Sequence, residues 1–426
     1  MSLRSLLRAV PATVRRDFVA TLLVQFLVLG IGLYLFHLVA ERGSVDGFSF
    51  YQIARSVVST VQPAVLLGLG VSLYRFLPRT VHTTRRLALQ ALSIEAGLVT
   101  TVTLAGAVAG GEIAALLGLP GGRSATTAVL ITLAGSSLCA VALAALRGAG
   151  QVVASNLTAG IGGAVVPLAA FAATDRIEDF LLLQGLATAV VGLGATFAVR
   201  RRRPPAPSTS TAPEPDVRTL IAYGIRRMPG ELALPALFTL PTLAVAVTTT
   251  GGEDAGYVGF TTSAVTLICS VFAMLTPVLM PRLSRLFHHG GEHRAVRRRL
   301  AVLPLLAGVV ATLPTGVIIL FAPPMVHGFL GPEFDAAVPV LRLGVLAAVP
   351  LAMFYTARPS LDVLFEAKPM SQLLVACLLV EVVMIAVGTR FLTPSYASML
   401  GLLSAATVLG LTAVGLAANA LRRSPS

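Results

Sequence analysis

The sequence predicts an all-α, polytopic integral membrane protein of about twelve transmembrane helices, arranged as two six-helix lobes related by a pseudo-twofold repeat. Three observations carry this. The chain is 55% apolar and only 12% charged, with a mean hydropathy of +0.85, whereas charged residues make up about a quarter of a soluble domain. Apolar runs of about 20 residues, enough to cross a hydrocarbon core about 30 Å thick as helices, recur along its whole length. The halves on either side of a basic, proline-rich stretch also share short patterns.

The first set of runs falls at roughly 18 to 40, 53 to 77, 87 to 109, 124 to 146, 153 to 173 and 180 to 199. The run from Phe18 to Ala40 is longer than the apolar part of a signal peptide and has no convincing cleavage site. It is therefore expected to stay as a span, with the mature chain starting at or near Met1. A second set falls at roughly 219 to 248, 256 to 281, 300 to 322, 338 to 357, 372 to 392 and 395 to 420. Between the sets, Arg200 to Asp216 carries four arginines and then prolines, serines and threonines that cannot pack; this reads as a solvated linker. The expected organisation is a first lobe over 1–199, a linker over 200–218 and a second lobe over 219–426.

Charge alternates along the spans. Arg15 and Arg16, Arg79 with Arg85 and Arg86, Arg147, Arg200 to Arg203, Arg282 to Arg299, Arg358 with Lys368, and Arg422 with Arg423 mark one side. Glu41, Asp46, Glu112, Asp175, Glu178, Asp179, Glu253, Asp254, Glu333 and Asp335 mark the other, with only scattered Arg42, Arg123, Arg176 and Arg390 on that side. The positive-inside rule then places both termini in the cytoplasm, and the single lysine, Lys368, with abundant Ala and Gly points to a GC-rich bacterial genome, so a bacterial inner membrane is expected.

Gly47-Phe48-Ser49-Phe50-Tyr51 and Gly256-Tyr257-Val258-Gly259-Phe260 both open an even-numbered span after an acidic residue. An even number of spans per half gives repeats of the same orientation, with a cavity expected between the lobes.

The net charge of +13 does not indicate a nucleic-acid partner, because the arginines punctuate apolar runs and form no basic domain with stacking aromatics. No Ser-His-Asp set, carboxylate pair or Walker loop is present, and an enzyme is not expected. Cys139, Cys269 and Cys377 lie far apart in apolar runs and read as small buried hydrophobes, and His288, His289 and His293 read as solvated, so no metal or other cofactor is expected. Gly68-Leu69-Gly70 and Gly160-Ile161-Gly162-Gly163 read as small-residue packing inside helices.

Ionisable groups at membrane depth are costly and mark candidate sites. The seventh span holds Arg226, Arg227 and Glu231. At 1.5 Å per residue from Thr219, the arginines lie about 10 to 12 Å in and Glu231 about 18 Å in. Arg227 and Glu231, four apart, form either a private ion pair or part of a site; Arg226 has no such partner and is the sharper candidate for an anionic headgroup. Arg55 and Arg342 are further substrate candidates, with snorkelling to lipid phosphate as the alternative. Glu231, Glu381 and Glu95 are candidates for a coupling proton or sodium ion, with a structural glutamate as the alternative. Pro229, Pro235 and Pro241 each remove a helix hydrogen bond and suit either a gate or static kinks. Arg358 and Asp362 read as a boundary salt bridge.

Three segments carry a family pattern. Gly256-Tyr257-Val258-Gly259-Phe260, running to Thr276-Pro277-Val278-Leu279-Met280-Pro281-Arg282-Leu283-Ser284, resembles the eighth helix of polysaccharide flippases of the multidrug/oligosaccharidyl-lipid/polysaccharide (MOP) exporter superfamily. Phe329-Leu330-Gly331-Pro332-Glu333-Phe334 with Val340-Leu341-Arg342-Leu343, and Leu361-Asp362-Val363-Leu364-Phe365-Glu366-Ala367-Lys368, are similar to that family's following loops and tenth helix. The resemblance implies two lobes forming a V, alternating access, and passage of a polyprenyl-linked oligosaccharide from the inner to the outer leaflet. Where the family often carries an Asp-Arg pair in the seventh helix, this chain has the uncharged Thr239-Leu240-Pro241-Thr242-Leu243.

The reading that follows is a flippase whose partners are the bilayer and an anionic lipid-linked glycan. A cation-coupled small-molecule exporter of the same superfamily is the alternative. A third is a non-transporting scaffold for glycan-assembly proteins. The embedded set is balanced or slightly basic, which favours a lipid pyrophosphate over cationic drugs.

Overall fold

The computed structural model describes residues 12–80, 83–199, 215–249, 253–274, 294–364 and 367–423. Among these the chain is helical throughout with no strand. Eleven helices are long and apolar enough to cross a membrane. One of them, Val19–Val65, has 47 residues, about 70 Å at 1.5 Å per residue and more than twice a hydrocarbon core. Ser44 divides it, at φ 54° and ψ −167°, so it supplies the first two spans and the total is the expected twelve. The most strongly basic part of the linker, residues 200–214, lies outside the described residues, as do Thr276 to Ser284, the three histidines at 288, 289 and 293, and residues 365 and 366.

The helices pack as two compact units. The first comprises Met1–Leu38, Val61–Ala114 and Gly121–Met228; the second comprises Val39–Thr60, Ala115–Pro120 and Pro229–Ser426. Each therefore takes helix ends from both halves of the sequence.

In the first unit the fourth span, Arg123–Gly148, packs on the sixth, Ile177–Phe197. Glycines make this possible. A Cβ on Gly135 would collide with the carbonyl oxygen of Gly185, and one on Gly192 would fall 2.7 Å from the Cys139 nitrogen. Close backbone approach of this kind replaces the missing hydrophobic driving force between helices in lipid. Thr132 Oγ1 also donates to the Leu181 carbonyl at 2.8 Å.

Two features of this unit differ from the expected continuous helices. The second span breaks at Leu66 to Gly68, where Leu67 and Gly68 have φ of 46° and 69°, and resumes as Leu69–Phe76. The reason is a neighbour: Gly68 and Gly224 meet backbone to backbone, leaving no room for a Cβ on either. In the fifth span, Ile161–Val165 forms a π turn between Val152–Gly160 and Val166–Ala172.

The second unit is centred on an aromatic cluster. Phe48 meets Phe334 edge-on at 5.4 Å and Phe260 at 6.4 Å, and Tyr257 meets Phe334 at 6.3 Å. Phe48 and Phe334 are fully buried. Three segments that stand out in the sequence thus converge as one packing core. Cys139, Cys269 and Cys377 are free and buried, as their apolar settings imply.

Candidate functional site

The second span and the eighth, Glu253–Ala273, run parallel and in fixed register. Gly256 lies on Ser49, whose Oγ donates to the Glu253 carbonyl at 2.9 Å, and Gly259 lies on Gln52. Beyond these contacts the helices turn matching polar stripes toward each other. Gln52, Arg55, Ser56 and Ser59 sit on one, and Gly259, Thr262, Ser263 and Thr266 on the other. Both follow the i, i+3, i+4, i+7 spacing of a single helix face.

A cavity of about 280 Å³ opens between them, closed by Leu234, Pro235, Phe238 and Thr239 of the seventh span and by Tyr355 of the tenth. All of these residues belong to the second unit. Among the described residues the lining contains one charged residue, Arg55, and no carboxylate. Arg55 Nη1 donates to Gln52 Oε1 at 3.2 Å and to Ser263 Oγ at 3.5 Å, and its guanidinium lies 5.7 Å from the Tyr51 ring centre. Gln52 Nε2 is buried and has no hydrogen-bond partner. Thr60 and Thr239 hydroxyls bond each other at 2.5 Å. The site therefore offers a cation, an unspent amide donor and a set of hydroxyls, which suits an anionic, oxygen-rich group.

Of the residues singled out from the sequence, the structure brings Arg55 and Pro235 into this lining. Arg342 is exposed and donates from Nε to the Ile319 carbonyl at 3.2 Å, at the end of the ninth span. Arg226 is exposed in the first unit. Arg227 is half-buried and gives Nη1 to Tyr223 Oη at 3.0 Å. Its expected alternative, a private pair with Glu231, does not form among the described residues, because the guanidinium turns one helical turn back toward the phenol. Glu231 is half-buried. Glu95 and Glu381 are fully buried, and none of their carboxyl oxygens has a hydrogen-bond partner. Pro229, Pro235 and Pro241 all lie inside one continuous helix, Val217–Thr248. The boundary pair Arg358–Asp362 forms at 3.6 Å.

Among the described residues, no cluster of His, Cys, Asp and Glu could hold a metal ion. Leu234, Phe238 and Tyr355 are lining residues that sequence reasoning missed, as are Gln52 and the two hydroxyl stripes. Their signal was the repeated helix-face spacing in two spans that open alike.

No protein-family model matches the chain, and no curated protein is similar to it in sequence. Solved structures are similar in fold. An inward-facing multidrug resistance MATE family transporter of the MOP superfamily aligns at a TM-score of 0.73 and 14% identity, over 96% of this chain and 100% of that one. The lipid II flippase MurJ aligns at 0.66 and 12%, over 93% and 87%. A MOP superfamily transporter from Pyrococcus furiosus, described as having a binding pocket of reversed polarity, aligns at 0.59 and 14%, over 96% and 95%. The chain is a multi-pass helical membrane protein with the fold that MATE transporters and the MurJ flippase share.

Proposed function

We propose that the protein is a transporter that moves an anionic, hydroxyl-rich headgroup across the membrane, in the first instance a polyprenyl-linked oligosaccharide or related glycolipid. The observation that carries this reading is the cavity around Arg55, whose lining among the described residues has a guanidinium, six aliphatic hydroxyls and no carboxylate. An organic cation would meet a guanidinium there, whereas phosphate and sugar oxygens would meet donors. The fold supports membrane transport, and both a flippase and multidrug transporters share it.

In this reading Arg55 holds the anionic group, Gln52 and the Ser and Thr hydroxyls hold sugar, and Pro235 shapes the wall. Pro229 and Pro241 let the same helix bend. Glu381, buried in the unit that contains the cavity, binds the coupling proton or sodium ion, with Glu231 and Glu95 as further candidates. The membrane is the bacterial inner membrane, with both termini cytoplasmic.

The test is flipping of a fluorescent polyprenyl-pyrophosphate sugar in proteoliposomes, compared with efflux of a cationic dye in the same vesicles. Glycolipid flipping that falls with Arg55→Gln is the expected result. Dye efflux with no glycolipid flipping would establish the small-molecule exporter instead, and no transport of either would leave the scaffold reading.

A further inference from the structure

The first unit contains a second basic arrangement, none of whose residues lines the cavity around Arg55. The backbone contact of Gly68 with Gly224, reinforced by Ser72 Oγ donating to the Leu220 carbonyl at 2.7 Å, locks the end of the second span onto the start of the seventh. Arg75 and Tyr223 are thereby set side by side. Tyr223 Oη accepts from Arg75 Nη1 at 2.8 Å and from Arg227 Nη1 at 3.0 Å. The Arg75 guanidinium also lies 4.6 Å from the centre of the Tyr223 ring, and Phe76 braces that ring edge-on at 5.3 Å.

Two guanidinium groups thus converge on one oxygen, and that oxygen belongs to a phenol. No carboxylate lies within ion-pair distance of either arginine among the described residues. The acids nearest in sequence are otherwise disposed: Asp216 is occupied by Thr219, and Glu231 is not paired with Arg227. Among the described residues, Arg147 donates to two hydroxyls, Ser155 at 2.9 Å and Tyr74 at 3.4 Å. Arg75 is exposed and Tyr223 and Arg227 are half-buried, so the arrangement is open to a ligand. Converging guanidinium donors are the arrangement that phosphate oxyanions favour, and a phenol satisfies them only weakly.

We propose that Arg75 and Arg227 form a phosphate-binding fork, in which the Tyr223 hydroxyl occupies the place of a phosphoryl oxygen until an oxyanion displaces it. The ligand class is a phosphate or pyrophosphate, carried either by a membrane-lipid headgroup or by a soluble molecule. The site stands whether or not the Arg55 cavity transports a glycolipid, because binding is read without transport.

The experiment uses the full chain in nanodiscs of neutral phosphatidylcholine, titrated with inorganic pyrophosphate, and in parallel measures retention of phosphatidylglycerol by native mass spectrometry. The wild type is expected to bind one probe or both. Arg75→Gln and Arg227→Gln are each expected to weaken that binding at least about tenfold, as loss of a charge-assisted bidentate contact does. Tyr223→Phe is expected to keep or tighten it, since the competing acceptor is gone. Pyrophosphate binding in neutral nanodiscs identifies a soluble phosphate, and variant-sensitive retention of phosphatidylglycerol alone identifies a headgroup. If a glutamine variant fails to insert, Arg75→Lys and Arg227→Lys decide, because they keep the charge and lose the fork. Binding of both probes unchanged in these variants, or abolished by Tyr223→Phe, overturns the proposal.

Discussion

Gly259 of the eighth span lies so close to Gln52 of the second that a Cβ on it would fall 2.7 Å from the Gln52 Cβ. Neither helix can move apart without disturbing the aromatic cluster above and the cavity below. Gly259→Ala is expected to destabilise the protein by about 1–3 kcal/mol through overpacking and to displace the Gln52 amide. A thermal melt in detergent, read beside transport, checks this; a melting temperature equal to the wild type would show that the wall yields freely.

Arg55 and Arg342 separate two uses of a membrane-edge arginine. Arg55→Gln is expected to lower transport of an anionic substrate about tenfold, the scale of a lost charge-assisted hydrogen bond, and Arg55→Lys by less. Arg342, which bonds the Ile319 carbonyl outside the cavity lining, is expected to be replaceable by Gln with little change in rate. Equal losses at both positions would mean that surface charge, not the cavity, sets the rate.

Glu381 and Glu95 are each 0% exposed, with both carboxyl oxygens unpartnered. An ionised carboxylate in such a place is expensive, so each is protonated or accompanied by a cation. Glutamine keeps the shape of the protonated acid, and both variants are expected to fold. Glu381→Gln is expected to abolish the dependence of transport on a proton or sodium gradient, and Glu95→Gln to preserve it. Flipping rates measured with and without each gradient distinguish them.

Asp216 caps the seventh span, accepting the Thr219 amide at 2.9 Å and the Thr219 hydroxyl at 2.6 Å. These bonds, chiefly that from the hydroxyl, hold its carboxyl below the usual 3.8. The cap is therefore in full force above about pH 4 and weakens as pH falls through the lowered value. Amide exchange at residues 217–220 is expected to quicken in Asp216→Ala at neutral pH and to do so less in Asp216→Asn.

The fold was legible because lipid leaves helices as the form that satisfies the backbone of an apolar run, so length and hydropathy alone locate the spans. Even the run from Val19 to Val65 resolves into the expected pair once Ser44 is seen to divide it. The cavity was less legible. Thr266 bonds the Thr262 carbonyl, and Ser263 bonds that of Gly259, as hydroxyls in membrane helices commonly do. Such residues look ordinary until a second stripe faces them. Arg226 and Arg227 drew attention by their charge, but sequence spacing does not reveal that the end of the seventh span carrying them packs with the first unit, beside Arg75. The Arg227–Glu231 spacing satisfied the rule for an ion pair, yet a phenol one turn earlier held the guanidinium.

Cys139, Cys269 and Cys377 are all buried and unpaired, which leaves the native chain dark to a polar maleimide. A cysteine introduced at Ser59 or Thr266, on the cavity wall, is then expected to be the reactive thiol. Adding the reagent to one face or the other of sealed vesicles would report from which side of the membrane that wall is reached, turning three inconspicuous residues into the silent background of a direct test of alternating access.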